Sequence, residues 1–370
     1  MFTEELKGNN YPISKVAANE WKSFAMYTVE SRAIPNMIDG LKPVQRFYLY
    51  SSLVNSKKDF KKVSAVSGII SDYGYNHGES SAAGAGQLMA ATWNNNICLI
   101  EGRGSFGTRL VQEAGAARYV YSRVHDNFSK YVKDIDLSPI HEDPEHEPPS
   151  FYLPIIPMVL VNGTKGIATG FATNILPHNP NDLKKACLQY IKNGKIQTPL
   201  GIKFPDYTGK VEQSEEDPTK YISYGTFKRS GKTAVSITEV PYGFDREGYV
   251  KVLDKLEEEG DIVSYEDKCN KDGFHFDVKL KQSSVKWNDS KLIAKFKLSK
   301  PFSQNLTVID FDGKLREYSS AKQLVKDFCD YRNGILQQRI DARVNEFTEQ
   351  VRWLNVKMEF VQANVDDRIL

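Results

Sequence analysis

Arg118 and Tyr119 stand side by side in the stretch from Gly102 to Arg123, GRGSFGTRLVQEAGAARYVYSR, where a nucleophile, fixed positive charge and a glycine frame fall together. A free phenol has a pKa of about 10, so about one tyrosine in a thousand is ionised at neutral pH, and a nucleophilic tyrosine needs about 4 kcal/mol of help. The guanidinium groups of Arg109, Arg118 and Arg123 could supply part of it. A guanidinium also grips a phosphate with two hydrogen bonds and balances the charge that grows on its oxygens during transfer. The implied reaction is attack of a phenol on a phosphodiester. The chain holds 19 Tyr, and most tyrosines are half-buried packing residues with a polar tip, so residue type alone leaves a purely structural role open. Gly102, Gly104 and Gly107 around Phe106 make a loop whose backbone can approach another chain closely. No strand, glycine turn and helix of dinucleotide-binding type surrounds it, which excludes a nicotinamide cofactor.

The segments that must position this pair follow from periodicity and punctuation. Helical apolar spacing from Val16 to Glu30 leads into Arg32, and Pro35, Gly40 and Pro43 in IPNMIDGLKP interrupt it. Pro43 opens a second helix running through Leu53, with a third expected from Lys61 to Ser71 and a fourth from Ser80 to Trp93. Short helices with tight turns are the pattern of a helix-turn-helix module. Ser80 and Ser81 are expected to cap the fourth helix, leaving free N–H groups for a phosphate. Ile97 to Ile100 reads as a strand feeding the glycine loop, a wing. From Phe151, FYLPIIPMVLVNG and TKGIATGFATNILPHNP read as strands, and Ile167, between Gly166 and Gly170, is either core or a wedge driven between stacked bases. TAVSITEVP and FHFDVKL read as strands, Asp245 to Glu259 as a capped helix ended by Gly260, and NLTVIDFDGKLREY as a hairpin turning at Asp312-Gly313. Ile340, Val344, Phe347, Val351, Leu354, Met358, Val361 and Val365 alternate spacings of four and three, the heptad stripe of a coiled coil, still running at Leu370.

At 370 residues the chain is too long for one core and implies two or three domains. No apolar run reaches membrane-span length and MFTEELKGNN lacks the form of a signal peptide, so a cytoplasmic protein is expected. Cys98, Cys187, Cys269 and Cys329 show no paired spacing and read as reduced packing residues; His141 and His146, in HEDPEHEPP, read as solvated loop and not as a metal site. Net charge is only +2, but its distribution matters more. Lys22, Arg32, Lys42, Arg46, Lys57, Lys58, Lys61 and Lys62 face only Glu30, Asp39 and Asp59, an excess of +5. Asp134, Asp136, Glu142, Asp143, Glu145 and Glu147 have no base among them. One end of this region suits a polyanion and the other water.

Laid side by side, these segments resemble the cleavage (A-type) subunits of type IIA DNA topoisomerases, above all their T-even-type bacteriophage branch, over nearly the whole length. SRAIPNMIDGLKPVQR resembles the family's opening signature, YGYNHGESS its recognition-helix entry, GRGSFGTRL and AARYVYSR its active-site segment, LVNGTKGIATGFATNILPHN its tower loop and NLTVIDFDGKLREY the tower's closing hairpin. The resemblance implies an α+β multidomain chain: an N-terminal arm and helix (1–30), a winged-helix DNA-gate domain with the catalytic tyrosine (31–148), a mixed α/β tower (149–328) and a coiled-coil helix (329–370) that stops before the family's carboxyl gate. It assigns Tyr119 the covalent bond to a 5′-phosphate and Arg118 the transition-state charge. It places Arg32, Lys42 and Arg46 on phosphate-gripping positions, His77 and Ser80 at the DNA-facing entry of the recognition helix, Asn162 on a tower-loop polar contact, and Ile167 on the wedge that bends the duplex. Where bacterial gyrases carry an acid four residues after the serine this chain has Gly84, and a basic position further along is Leu88, so quinolone-type drug contacts are not expected. The chain has no acidic metal cluster. The resemblance therefore implies Mg²⁺ and ATP held by a large partner subunit, double-stranded DNA as substrate, a homodimer within a heterotetramer-like assembly, and the host-cell cytoplasm as its setting. Relaxation, decatenation and unknotting are the expected outcomes. Two rivals remain: a DNA-bending winged-helix protein that forms no covalent bond, and a tyrosine recombinase, which would link to the 3′ side.

Overall fold

Proline and glycine set the first boundaries of the fold. The computed structural model describes residues 13–231 and 233–363, and in it a helical arm, 13–33, alternates α and π turns until Ile34 turns extended ahead of Pro35. Helix α1 (Pro43–Asn55) carries its proline in the first turn, and the Lys42 N–H donates to Gln45 Oε1 at 2.9 Å. The expected third helix is shorter. Lys61 and Lys62 form strand β1 because they pair with Ser122 and Tyr121, so the helix α2 covers only Val63–Gly68, followed by a 3₁₀ turn that stops at Gly74 with φ of 96°. Helix α3 (Glu79–Ala90) starts from an extended Gly78. The serine caps do not form: Ser80 and Ser81 lie inside the first turn, and the Ser81 N–H donates to the Gly78 carbonyl. Helices α1 and α3 cross closely at Gly86, where an added Cβ would lie 2.2 Å from the Tyr48 ring.

Strand β2 (Ile100–Arg103) begins three residues later than the wing expected from sequence and pairs antiparallel with β3 (Tyr121–Val124), which also takes β1, giving the order β1-β3-β2. Helix α4 (Asp126–Tyr131) follows. The FYLPIIPMVLVNG run departs from expectation: Pro154 makes a single bridge to Val132, and Met158–Asn162 is a helix, α5. Its first four residues are all buried, and a short run buried all round has no period to tell helix from strand. Strands β4 (Thr164–Ile167) and β5 (Ala172–Ile175) form a hairpin, and α6 (Pro180–Asn193) is capped by Asn179 and stopped by Gly194 with φ of 68°. One hydrophobic core runs from Met37 through α1–α3, the small sheet, the 151–161 segment and α6 to Ile335, crossing residues 148–149 without a break.

A second core lies between β9 (Ala234–Glu239), β10 (Ile262–Asp267), β11 (Phe276–Leu280) and the helices α7 (Arg246–Glu258) and α8 (Asp289–Lys295). With β8 (Thr226–Arg229) these strands make an antiparallel sheet in the order β10-β11-β9-β8. Strands β6 (Lys210–Gln213), β7 (Lys220–Tyr224) and β12 (Ser299–Ser303) form a third sheet, β12-β7-β6. Local signals hold well here: Asp245 accepts from the Gly248 N–H at 2.7 Å to cap α7, Gly260 follows it with φ of 72°, and β13 (Leu306–Ile309) and β14 (Leu315–Tyr318) turn through Asp312-Gly313.

The last helix, α9 (Ala321–Gln362), begins eight residues before 329, where Ser320 caps it. Its first turns bury Leu324, Val325, Phe328 and Ile335 in the first core, whereas Ile340, Val344, Phe347, Val351, Leu354, Met358 and Val361 are exposed; Val365 lies outside the described residues. Asp134 fastens the helix by accepting from Arg332 Nη2 at 2.5 Å and from Arg339 Nε and Nη2 at 2.5 and 2.7 Å. The acidic run therefore does not simply face water: burial opposes charge on Asp134, and the two guanidiniums outweigh it and hold the carboxyl below its usual range.

His178 is buried, with its ring Nδ1 left without a partner, and burial pushes its pKa down to about 4. The unfolded imidazole titrates at about 6.5, so between these values the unfolded chain binds the proton that the folded chain refuses, and stability falls as pH drops. Urea titrations should show a loss of up to about 3 kcal/mol between pH 7 and pH 4 from this group. The His178→Gln variant should have a flatter acid limb, and an unchanged slope would refute this.

Candidate active site

The Tyr119 turn is built from its glycines inward. Gly104 leaves β2 with φ of 114°, and a Cβ there would press on Val120. Phe106 lies over Gly102, where a Cβ would fall 2.5 Å from its ring. Gly107, with φ of 80°, backs onto the Trp93 indole, whose Nε1–H donates to the Phe106 carbonyl at 3.0 Å. These glycines are required by the protein's own packing. On the far side the Gly115 N–H donates to the Ser105 carbonyl and Gln87 Nε2, from α3, donates to the Gly115 carbonyl at 2.7 Å. The first turn of α2 completes the frame, with the Val63 N–H donating to the Val120 carbonyl and the Ser64 N–H to that of Ala117. Val120 is buried, and its neighbour Tyr119 is 68% exposed. Arg118 is exposed too, with its guanidinium carbon 4.8 Å from the Tyr119 ring centroid.

The other two guanidiniums are committed elsewhere. Arg109 is buried against Glu239, Nη1 to Oε1 2.8 Å, and Arg123 donates to Glu101 Oε2 at 2.8 Å and to the Lys58 carbonyl at 3.1 Å. Among the described residues Arg118 alone of the three makes no ion pair. The pair can therefore meet a phosphate arriving from solvent: a phenol within reach of the phosphorus and a fork of donors for its oxygens.

The remaining candidates divide into exposed groups and structural knots. Arg32 is exposed at the end of the helical arm and Ser80 in the first turn of α3. His77 Nε2 lies 2.8 Å from the Tyr27 hydroxyl, with its ring against Tyr75. Lys42 donates from Nζ to the Lys165 carbonyl at 2.7 Å, and burial pulls its ammonium below the usual lysine value. Arg46 is a correction. It is buried, with Nε 2.9 Å from Asp39 Oδ2 and Nη2 bonded to Oδ1 and to the Leu41 carbonyl, while Asp39 also accepts from the Tyr152 N–H. This knot welds 39–46 to the 151–161 segment and does not present Arg46 to a phosphate. Asn162 is a second correction: Oδ1 accepts from the Ile97 N–H and Nδ2 donates to the Ile97 carbonyl, both at 2.9 Å, so it closes the core. Ile167 is 78% exposed, which excludes a core role, and beside it a Cβ on Gly166 would sit 2.0 Å from the Ala33 carbonyl oxygen. The structure thus gathers Arg32, Lys42 and Ile167 around the joint of arm and hairpin, and holds Tyr119 separately through α2 and α3. Gln87, Lys165 and Glu239 complete these arrangements; no local signal in the sequence marks them.

Comparison with known proteins adds three findings. Residues 32–369 match the family of DNA gyrase/topoisomerase IV A-type subunits. The chain is 44% identical to the DNA topoisomerase medium subunit of Enterobacteria phage T4, over 98% of this chain and 83% of that protein, and 30% identical to DNA topoisomerase 2 of Saccharomyces cerevisiae, over 91% of this chain but 24% of the yeast protein. The crystal structure of the Plasmodium falciparum topoisomerase II DNA-binding, cleavage and re-ligation domain superposes with a TM-score of 0.86 at 28% identity, covering 95% of this chain and 49% of that one. The chain thus spans about a quarter of the length of the yeast enzyme.

Replacing Asn162 by alanine should strand both polar groups of the buried Ile97 backbone and cost about 1–3 kcal/mol in urea unfolding. Duplex affinity, measured on the folded fraction, should stay within about twofold; a large affinity loss at full stability would restore Asn162 as a binding residue.

Proposed function

The chain belongs to the DNA gyrase/topoisomerase IV A-type family, and from that premise we propose that Tyr119 is the nucleophile with which it cleaves and religates DNA. The observation that carries the reading is a solvent-facing phenol beside an uncommitted guanidinium, on a turn held from two helices. The Tyr119 hydroxyl oxygen attacks the backbone phosphorus; the O–P bond forms, the bond from phosphorus to the 3′ oxygen breaks, and the phenolic proton leaves to solvent as the 3′ hydroxyl is released. Arg118 balances the charge on the non-bridging oxygens. The phosphotyrosyl ester keeps the energy of the phosphodiester, so the 3′ hydroxyl reverses the step without ATP. A symmetric copy cuts the other strand and a second duplex passes, giving relaxation and decatenation.

In this reading α1–α3 with the sheet β1-β3-β2 act as a winged-helix module, and Arg32, His77 and Ser80 meet the duplex at its edge. Ile167 enters between base pairs, while Lys42, bonded to the Lys165 carbonyl, steadies the hairpin that carries it. The 149–328 region serves as the tower, and the exposed apolar stripe of α9 packs into a coiled coil. Among the described residues no group of three or more His, Cys, Asp or Glu side chains could hold a metal. Mg²⁺ and ATP are assigned to a large partner subunit, within an assembly that contains two copies of this chain. No described helix is long and apolar enough to cross a membrane, and the proposed setting is the host-cell cytoplasm, where the DNA is.

With the partner subunit, Mg²⁺ and end-labelled duplex, denaturation should leave DNA ends joined to the chain. Tyr119→Phe should abolish that linkage and Arg118→Ala should slow its formation about 10²-fold with duplex affinity nearly unchanged. Linkage that persists in Tyr119→Phe refutes the assignment, and linkage through the 3′ side would favour a recombinase.

A further inference from the structure

Arg109 is the buried charge of the loop that carries Tyr119, and the cleavage step just described does not use it. Arg109 and Glu239 are each 6% exposed, and the guanidinium is enclosed by the rings of Tyr207, Tyr242 and Phe274, with centroids 5.0, 5.4 and 5.2 Å away. Glu239, the last residue of β9, accepts on Oε1 also from the Val240 N–H, and on Oε2 from the Thr208 N–H and hydroxyl at 3.1 and 2.9 Å. Next in the chain, Leu110 packs on the second core and its carbonyl accepts from the Arg246 N–H, at the start of α7, at 3.0 Å. The same loop has Phe106 and Val120 in the first core. Residues 109–110 thus strap the Tyr119 loop onto a body that it does not belong to. A buried ion pair is a poor source of net stability but fixes the relative position of the parts that bear its two charges.

The third sheet, β12-β7-β6, connects that body to the wedge. Asn174 on β5 exchanges backbone hydrogen bonds with Asn305 at 3.1 and 2.9 Å, and its Nδ2 donates to the Ser303 carbonyl at the end of β12. Strand β12 pairs with β7, and the carbonyl of Tyr224 accepts from the Tyr207 hydroxyl at 2.6 Å, one residue from Thr208 and its bonds to Glu239. A path of hydrogen bonds joined by short runs of main chain therefore leads from the Ile167 hairpin to Arg109. Continuity alone is not coupling, which has to be measured.

From this geometry we infer that Arg109, acting through Glu239, is a positioning residue that sets the Tyr119 turn according to where the wedge hairpin and the second core lie. This rests on the reading of Tyr119 as nucleophile and Ile167 as wedge. A duplex bent by Ile167 meets a phenol already in line, and an unbent one does not.

The test uses the full chain assembled with its partner subunit, Mg²⁺ and a 3′-end-labelled duplex, with single-turnover formation of the covalent complex as the readout. Arg109→Gln combined with Glu239→Gln removes both charges and leaves neither buried alone. This double variant should link DNA about 10- to 100-fold more slowly at unchanged duplex affinity. Ile167→Ala, which should slow the wild type, should add less than about twofold in the doubly neutral background. An unchanged rate in the neutral pair overturns the inference, as do Ile167→Ala effects that multiply independently in both backgrounds or an Ile167→Ala with no effect on the wild type. If thermal melting shows the neutral pair unfolded, Arg109→Lys, which keeps the charge but loses the fork, is judged by the same criteria. A wild-type assembly that forms no covalent complex at all sinks the reading of Tyr119 itself, a result distinct from failure of the strap, in which wild type and variant link DNA equally fast.

Discussion

Backbone hydrogen bonding around residues 115–120 is the constraint from which the rest follows. A tyrosine that is to attack a large, stiff polyanion has to stand in solvent, yet exposure ordinarily means mobility. Here the side chain is free while its peptide frame is not: the Val63 and Ser64 N–H groups and the Gln87 amide hold the carbonyls of Val120, Ala117 and Gly115, and Val120 is sunk in the core. Rigidity comes from the main chain and reach from the phenol, an arrangement that suits positional catalysis.

Buried charge does a second kind of fastening. Asp39 with Arg46 and the Tyr152 N–H joins the opening loop to the 151–161 segment, Asp134 with Arg332 and Arg339 joins the acidic loop to α9, and Arg109 with Glu239 joins the two cores. Each pair links segments that hydrophobic burial alone would leave free to slide, because apolar contact has no preferred direction and an ion pair with a guanidinium fork does. Arginines that a charge count would offer to DNA are used in this way.

What the sequence disclosed and what it withheld divide along the same line. The Asp245 cap, the Gly260 stop, the Asp312-Gly313 turn and the opening of α1 at Pro43 were all readable, since each is decided by residues within one turn of itself. Ser80 and Ser81 failed as caps because Gly78, three residues ahead of Ser81, takes up the extended geometry first. The Met158–Asn162 helix was hidden by its own burial. Arg46, Asn162 and Arg109 were misread for a different reason: their partners lie 7, 65 and 130 residues away, and spacing says nothing of a bond closed by the fold. Within the candidate site, the adjacency of Arg118 and Tyr119 is written in the chain, but their exposure, and the withdrawal of Arg109 and Arg123, are visible only in three dimensions.

The seat of Gly166 on the Ala33 carbonyl carries a mechanical corollary. Only a hydrogen fits between the two main chains at that point, and beside it the Thr28 hydroxyl of the arm donates to Thr169 Oγ1 of the hairpin at 3.4 Å. A side chain at 166 would have to push the hairpin off the root of the arm and carry Ile167 with it, so the place of the hairpin tip is set where the two backbones touch.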